Sequence, residues 1–188
     1  MFKEYFFNKL LGAILLIILS PLFLIFGLSI YFEDGSPIFF KQKRVGVNYT
    51  FFNIYKFRSM KKNTPNVATH LLENPSSYLL RIGGVLRKLS LDELPNLINI
   101  IKGEMVFVGP RPALYNQDDL MALRVAAGVD KLKPGITGWA QINGRDEISI
   151  EAKVALEKEY LERQSVWFDL FILVKTFTSV LFSKGVAH

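Results

Sequence analysis

The sequence contains no cysteine and only two histidines, His70 and His188. Without cysteine there are no disulfides, thiolate nucleophiles or thiolate metal sites. Two isolated histidines are too few for a His-rich metal site or a catalytic triad. Any catalysis therefore rests on carboxylates, lysine, arginine or backbone amides. The sequence also lacks P-loop, G-x-G-x-x-G, D-x-D and H-E-x-x-H patterns. Their absence argues against P-loop nucleotide hydrolysis, Rossmann chemistry and zinc hydrolysis. Acidic residues are in deficit: 23 Lys+Arg against 17 Asp+Glu give a net charge of +6. Such a balance suits an anionic membrane face or a phosphate-bearing substrate.

What the chain does have is a run of 23 uncharged residues, Leu10 to Phe32, with Ser20-Pro21 near its middle. As one helix it would be about 35 Å long at ~1.5 Å per residue, enough to cross a bilayer. Proline removes a backbone donor and clashes with the preceding turn, so a sharp bend is expected at Ser20 and Pro21. The Ser20 hydroxyl is available to bond a carbonyl freed by the kink. Lys3 and Lys9 precede the run, and Lys41, Lys43 and Arg44 follow Glu33 and Asp34. Basic flanks mark the cytoplasmic side, and here both ends qualify. A re-entrant membrane helix over 1–34 is therefore expected ahead of a cytoplasmic domain over 35–188. No small-residue cleavage site follows the run, so a cleaved signal peptide is not expected. A membrane-held chain also makes nucleic acid an unlikely partner.

Downstream, Pro37 to Val45 and Tyr49 to Phe57 are aromatic and β-branched, joined by Gly46-Val47-Asn48, and read as a β-hairpin. Lys61 to Pro75 is polar and reads as a loop. Leu79, Ile82, Leu86 and Leu89 recur at helical spacing, predicting a helix over Tyr78 to Leu89. A second helix is predicted from Ser90–Asp92 to Lys102, with Gly103 ending it. Gly109-Pro-Arg-Pro112 and Lys133-Pro-Gly-Ile-Thr-Gly138 read as rigid loops. Ile148 to Leu161 reads as a charged helix. Trp167 to Phe182 reads as an amphipathic helix lying in the headgroup layer, with Lys175 and Lys184 as its cations. The fold class is thus α+β and mostly helical: a membrane helix, a hairpin and a helical core with interfacial helices.

Few groups here offer chemistry. Ser90 and Glu93 have capping-box spacing; alternatively Asp92 is the cap. Either way Asp92 and Glu93 sit at a helix start, where free amides and the dipole favour anions. Beside them a phosphate or a Mg²⁺-phosphate would be at home. Plain capping explains the same pattern. Lys56 and Arg58 put two cations on one strand face. Arg111, between two prolines, has a fixed direction that suits bidentate phosphate binding; a surface turn is the plainer reading. Asp169 is an acid within an aromatic helix and either pairs locally or completes an ionic site.

Taken in order, several stretches resemble the bacterial sugar transferase family, the monotopic phosphoglycosyl transferases. They are Ser20-Pro21, Gly35 to Gly46, Ile54-Tyr-Lys-Phe-Arg-Ser-Met60, Arg81 to Pro95, Lys102-Gly-Glu-Met-Val-Phe-Val-Gly-Pro-Arg-Pro112 and Lys133 to Arg145. The similarity covers nearly the whole chain and is closest to the small members. Where the family often reads Arg-Lys-Thr-Ser, this chain reads Arg87-Lys-Leu-Ser90. The resemblance implies transfer of a sugar 1-phosphate from a UDP-sugar, N-acetylated in many small members, to polyprenol phosphate at the cytoplasmic face of the inner membrane. UMP is released, and the product begins glycoconjugate assembly. The resemblance also implies that Asp92 is the nucleophile, forming an aspartyl phosphosugar. Glu93 would hold Mg²⁺ with Asp92 or handle protons. Arg111, Lys56 and Asp169 would bind substrate. Membrane lipids and downstream glycosyltransferases are the implied partners.

Overall fold

The computed structural model describes residues 2–65, 74–144 and 148–182. His70, Arg145, Lys184 and His188 lie outside the described residues, as does the middle of the expected 61–75 loop.

The apolar run forms two helices, α1 (Phe2–Ile18) and α2 (Ser20–Asp34), broken at Leu19 and bent by 62°. Pro21 has no N–H to give to Ile17, four residues back. The Ser20 hydroxyl takes that same carbonyl at 2.7 Å, so the orphaned acceptor is satisfied locally. No single helix among the described residues is long and apolar enough to cross a membrane; the bent pair together has the length and composition for it. One side of the pair is exposed and apolar, including Phe7, Leu11, Ile14, Ile25, Leu28 and Phe32. The other packs on the rest of the chain. Leu15, Leu16 and Leu19 lie against Phe52, Ile54, Leu97, Ile100 and Met105. Ile30, fully buried, shares a cluster with Phe57, Leu80 and Leu86.

The predicted hairpin is present as β1 (Phe39–Val45) and β2 (Phe51–Phe57), antiparallel, with Phe40 opposite Lys56 and Arg44 opposite Phe52. Its turn is a 3₁₀ piece, Val47–Tyr49, with Asn48 and Tyr49 at positive φ. Asn99 binds it to α4 (Asn96–Lys102): the side chain accepts from Tyr55 N at 3.1 Å and donates to Asn53 O at 2.8 Å. Gly103, φ 82°, ends α4 as expected.

The helix predicted over Tyr78 to Leu89 is much shorter. Pro75–Tyr78 is a 3₁₀ turn, and only α3 (Gly83–Lys88) is α-helical. Between them Leu80 N donates to Ser59 O at 3.0 Å and Met60 bridges Leu79, so the chain pairs with the residues after β2 rather than coiling. The wheel shifts accordingly: Leu80 and Leu86 are buried, whereas Leu89 is exposed.

A second small sheet was absent from the sequence reading. Here β3 (Val106–Val108) pairs in parallel with β4 (Gly135–Thr137), so the segment expected as a loop from Lys133 is partly a strand. A Cβ on Gly109 would meet Lys133 O at 2.4 Å, and one on Gly138 would meet Gly109 O at 2.1 Å. These glycines let two backbones touch at the end of the sheet. The helix α5 (Asp118–Ala126), also unpredicted, follows β3, and the short α6 (Trp139–Ile142) follows β4. The last helices are α7 (Ile150–Arg163), capped by the Ser149 hydroxyl on Ala152 N, and α8 (Val166–Phe182). Phe168 and Ile172 of α8 are buried with Val108 and Tyr160, while Trp167, Phe171, Val174 and Phe177 are exposed.

Candidate active site

Strand alternation places Arg44, Ile54 and Lys56 on one face of the hairpin. That face forms one wall of a narrow cleft, lined also by Glu93, Asn96, Met105, Arg111, Pro112, Gly135 and Ile136. The turn carrying the acids differs from the expected helix start. Ser90 takes a left-handed conformation, φ 54°, and its side chain caps nothing. Leu91–Glu93 is a 3₁₀ turn, and α4 begins only after Pro95. Neither the capping box nor an Asp92 cap forms, and the carboxylates are left for other partners.

Glu93 has them. Lys56 Nζ donates to Glu93 Oε1 at 2.6 Å, and Arg111 Nη1 lies 3.6 Å from the same oxygen. Burial pushes the Glu93 carboxyl up, but Lys56, Arg111 and Arg44 outweigh it and hold the group below its ordinary value. Asp92 is shifted the other way. It is half-buried, and loss of solvent raises it; the nearby Glu93 charge adds to the rise, and Lys56 and Arg87 counter only part of it. Asp92 thus stands on a 3₁₀ turn ahead of α4 rather than at its start, and burial, more than a helix dipole, sets the direction of its shift. Two adjacent acids are pushed apart by their surroundings, as in sites where two carboxyls take different roles.

Of the other candidates, Arg58 points away from this cleft. Its guanidinium wraps the end of α2, pairing with Asp34 and donating to Pro37 O at 2.7 Å and Gly35 O at 2.6 Å. Asp169 does not line the cleft. It sits on α8, where its Oδ1 accepts from the Tyr160 hydroxyl at 2.8 Å, beside Val108 O. Arg44 and Asn96 were missed by the sequence reading. Arg44 carried a signal in its alternation with Gln42 on a strand facing Lys56; Asn96 carried only its position one residue past Pro95.

Among the described residues no three His, Asp or Glu side chains cluster as a metal cage. Asp92 and Glu93 are oxygen donors of the kind Mg²⁺ takes, one or two carboxylates with phosphate oxygens and water completing the shell. Asn96 Oδ1, buried on the cleft wall without a protein hydrogen-bond partner, suits a donor such as a bound water or a ligand hydroxyl.

The exopolysaccharide production protein ExoY of Sinorhizobium fredii (strain NBRC 101917 / NGR234) is 40% identical over 195 residues, covering 95% of this chain and 85% of that protein. The uncharacterized sugar transferase EpsL of Bacillus subtilis (strain 168) is 40% identical over 178 residues, covering 94% and 87%. The UDP-glucose:undecaprenyl-phosphate glucose-1-phosphate transferase of Escherichia coli (strain K12) is 37% identical over 174 residues, covering 88% of this chain and 37% of that protein. The family described as bacterial sugar transferase matches residues 1–183. With that match along almost its whole length, the chain belongs to the bacterial sugar transferase family.

Proposed function

We propose that this protein moves a sugar 1-phosphate from a UDP-sugar to polyprenol phosphate and releases UMP. The observation that carries the reading is the cation-lined cleft at Lys56, Glu93 and Arg111, beside the half-buried Asp92, in a chain of this family. An Asp92 carboxylate oxygen attacks the phosphorus bearing the sugar. The bond from that phosphorus to the UMP oxygen breaks, and UMP leaves. A polyprenol phosphate oxygen then attacks the same phosphorus and expels the Asp92 carboxylate. Transfer between two phosphates thus becomes two displacements.

Lys56 and Arg111 are spread over Glu93 before substrate arrives and turn to the diphosphate oxygens when it binds. Asp92 and Glu93 are the residues that would hold Mg²⁺, which supplies neutralisation of charge on the phosphate oxygens. Asp169 fixes Tyr160 against Val108, next to the loop that carries Arg111.

The bent α1–α2 pair dips into the inner membrane and returns, leaving both ends on the cytoplasmic face. The exposed aromatics of α8 lie among the lipids at that face. The lipid-linked product then passes to glycosyltransferases that extend it.

An N-acetylated UDP-sugar is the proposed donor, on the resemblance to small family members. UDP-glucose is the second reading, favoured by similarity to the Escherichia coli enzyme. A panel of UDP-sugars with released UMP as readout separates them.

The mechanism is tested by mass spectrometry of the intact chain. Given UDP-sugar without acceptor, the wild type should gain one phosphosugar on the peptide carrying Asp92 and lose it when polyprenol phosphate is added. Asp92→Asn and excess EDTA should each abolish UMP release. A mass that never shifts, with UMP appearing only when both substrates are bound, would mean direct transfer.

A further inference from the structure

The loop carrying Arg111 is held at four consecutive carbonyls by three parts of the chain: β1, β4 and α5. Pro110 O accepts from Gly135 N, and Ala113 O from Val45 N, both at 2.9 Å. Between them, Arg111 O accepts from Arg124 Nη2 and Pro112 O from Arg44 Nη1, also at 2.9 Å. Two prolines remove two of the loop's own donors. Backbone amides take the outer two oxygens, and arginine side chains take the two between them.

Arg124, on α5, is unlike the other three partners. It is 4% exposed, and its ion partner on α7, Glu157, is 2% exposed. Glu157 takes both Nε at 2.8 Å and Nη2 at 2.5 Å in a bidentate pair. A buried ion pair generally gives no more stability than apolar residues of the same volume. Its presence calls for another use, and the geometry supplies one. Glu157 sets the plane of the guanidinium, and Nη2 is thereby aimed at Arg111 O.

We propose that Arg124 and Glu157 are positioning residues for the reaction: the buried pair fixes the backbone of Arg111 so that its guanidinium meets the cleft in one orientation. The pair touches no substrate and acts through Arg111. This inference rests on the transferase reading above.

The test uses the full chain in detergent or nanodiscs. The double variant Arg124→Met, Glu157→Leu removes the pair without leaving a buried charge. Its melting temperature should stay near that of the wild type, and the Gly135 and Val45 amides, which donate into this loop, should exchange hydrogen faster. Its kcat/KM for UMP release should fall on the order of 100-fold, the cost of displacing a positioned group by about 1 Å. In an Arg111→Ala background the same double change should cost little more, because the residue it positions is gone. Arg124→Lys keeps the charge beside Glu157 without the second arm, and it provides the same comparison if the double variant does not fold. Unchanged amide exchange, or a loss that multiplies with that of Arg111→Ala, overturns the proposal. If the wild type released no UMP from any donor, the transferase reading would fall, and the catalytic role with it. Amide exchange would still report whether the pair holds the loop.

Discussion

Two carboxylate–cation pairs tie this molecule together across long stretches of chain, and they differ in burial. Lys56–Glu93 lines the cleft with side chains 18% and 19% exposed, and Glu93 is shared with Arg111. Arg124–Glu157 is 5% and 2% exposed and bidentate. A lysine ammonium with water beside it exchanges partners at small cost. A guanidinium without water cannot open without leaving a buried charge. The same two charges thus make a pair that solvent reaches, which on the proposed reading a ligand opens, and a pair sealed from it. Access to solvent, more than charge, separates the binding group from the scaffold.

The largest test of that contrast removes one acid at a time. Glu157→Ala should cost about 3–5 kcal/mol of stability, since Arg124 is left buried and unpaired. Glu93→Ala should cost less than that, because Lys56 and Arg111 keep some access to water, yet abolish UMP release. Urea melts on both variants check this, and equal midpoints would erase the distinction.

Arg111→Lys sharpens the comparison at the cleft. Its stability should be near wild type, while UMP release falls roughly 10–100-fold, the value of a charged hydrogen bond that an ammonium cannot reproduce. Near-normal release would make Arg111 a diffuse charge and remove the reason for holding its loop.

The pH dependence gives a smaller effect. Asp92 must be ionised to attack, and burial holds its carboxyl above the ordinary range. UMP release should therefore decline on acidification at a higher pH than an exposed carboxylate would set. Lys56 pulls Asp92 down, so Lys56→Met should move the acid limb upward. Glu93 has the opposite sign. Held below its ordinary value, it adds stability above that value, lost as pH falls through its lowered one. Profiles of kcat against pH for both proteins test the shift; a downward move contradicts it.

The smallest change involves neither pair. Ser20→Ala should cost about 0.5–1.5 kcal/mol, because Ile17 O loses its donor. Both ends should stay cytoplasmic. Cysteines at Lys3 and Lys41, probed with an impermeant thiol reagent on intact cells, report this. Labelling at one end only would show a span.

Much of the fold was legible where the signal is local. Proline predicted a bend at Ser20 and Pro21, and the break falls beside them at Leu19. Aromatic and β-branched content with a Gly-containing join predicted β1 and β2. A glycine stop ended α4, and charge predicted α7. The misreadings share a cause. The helix expected from Tyr78 shrank because Leu79 and Leu80 found backbone partners at Met60 and Ser59. β3 and β4 are three residues each and pair in parallel, so neither carries a pattern of its own. For α5, Leu120, Met121 and Arg124 do recur at helical spacing, but an arginine on that face masks the apolar stripe.

For the site, the sequence by itself determined which groups exist. With no cysteine and two histidines, the chemistry falls to carboxylates, lysine, arginine or backbone amides, and the family resemblance implied Asp92, Glu93, Lys56 and Arg111 among them. Local rules also placed Lys56 on a strand and Arg111 in a stiff loop. Only the tertiary structure decided how these groups divide. It turned Arg58 to the end of α2, set Asp169 on Tyr160, and brought Arg44 and Asn96 to the cleft. It also buried Asp92 enough to reverse the expected shift of its carboxyl. The physical reason is that backbone preference acts over a few residues. Desolvation and Coulomb energy depend on what lies within several ångströms, and here those neighbours come from segments 33 and 37 residues apart.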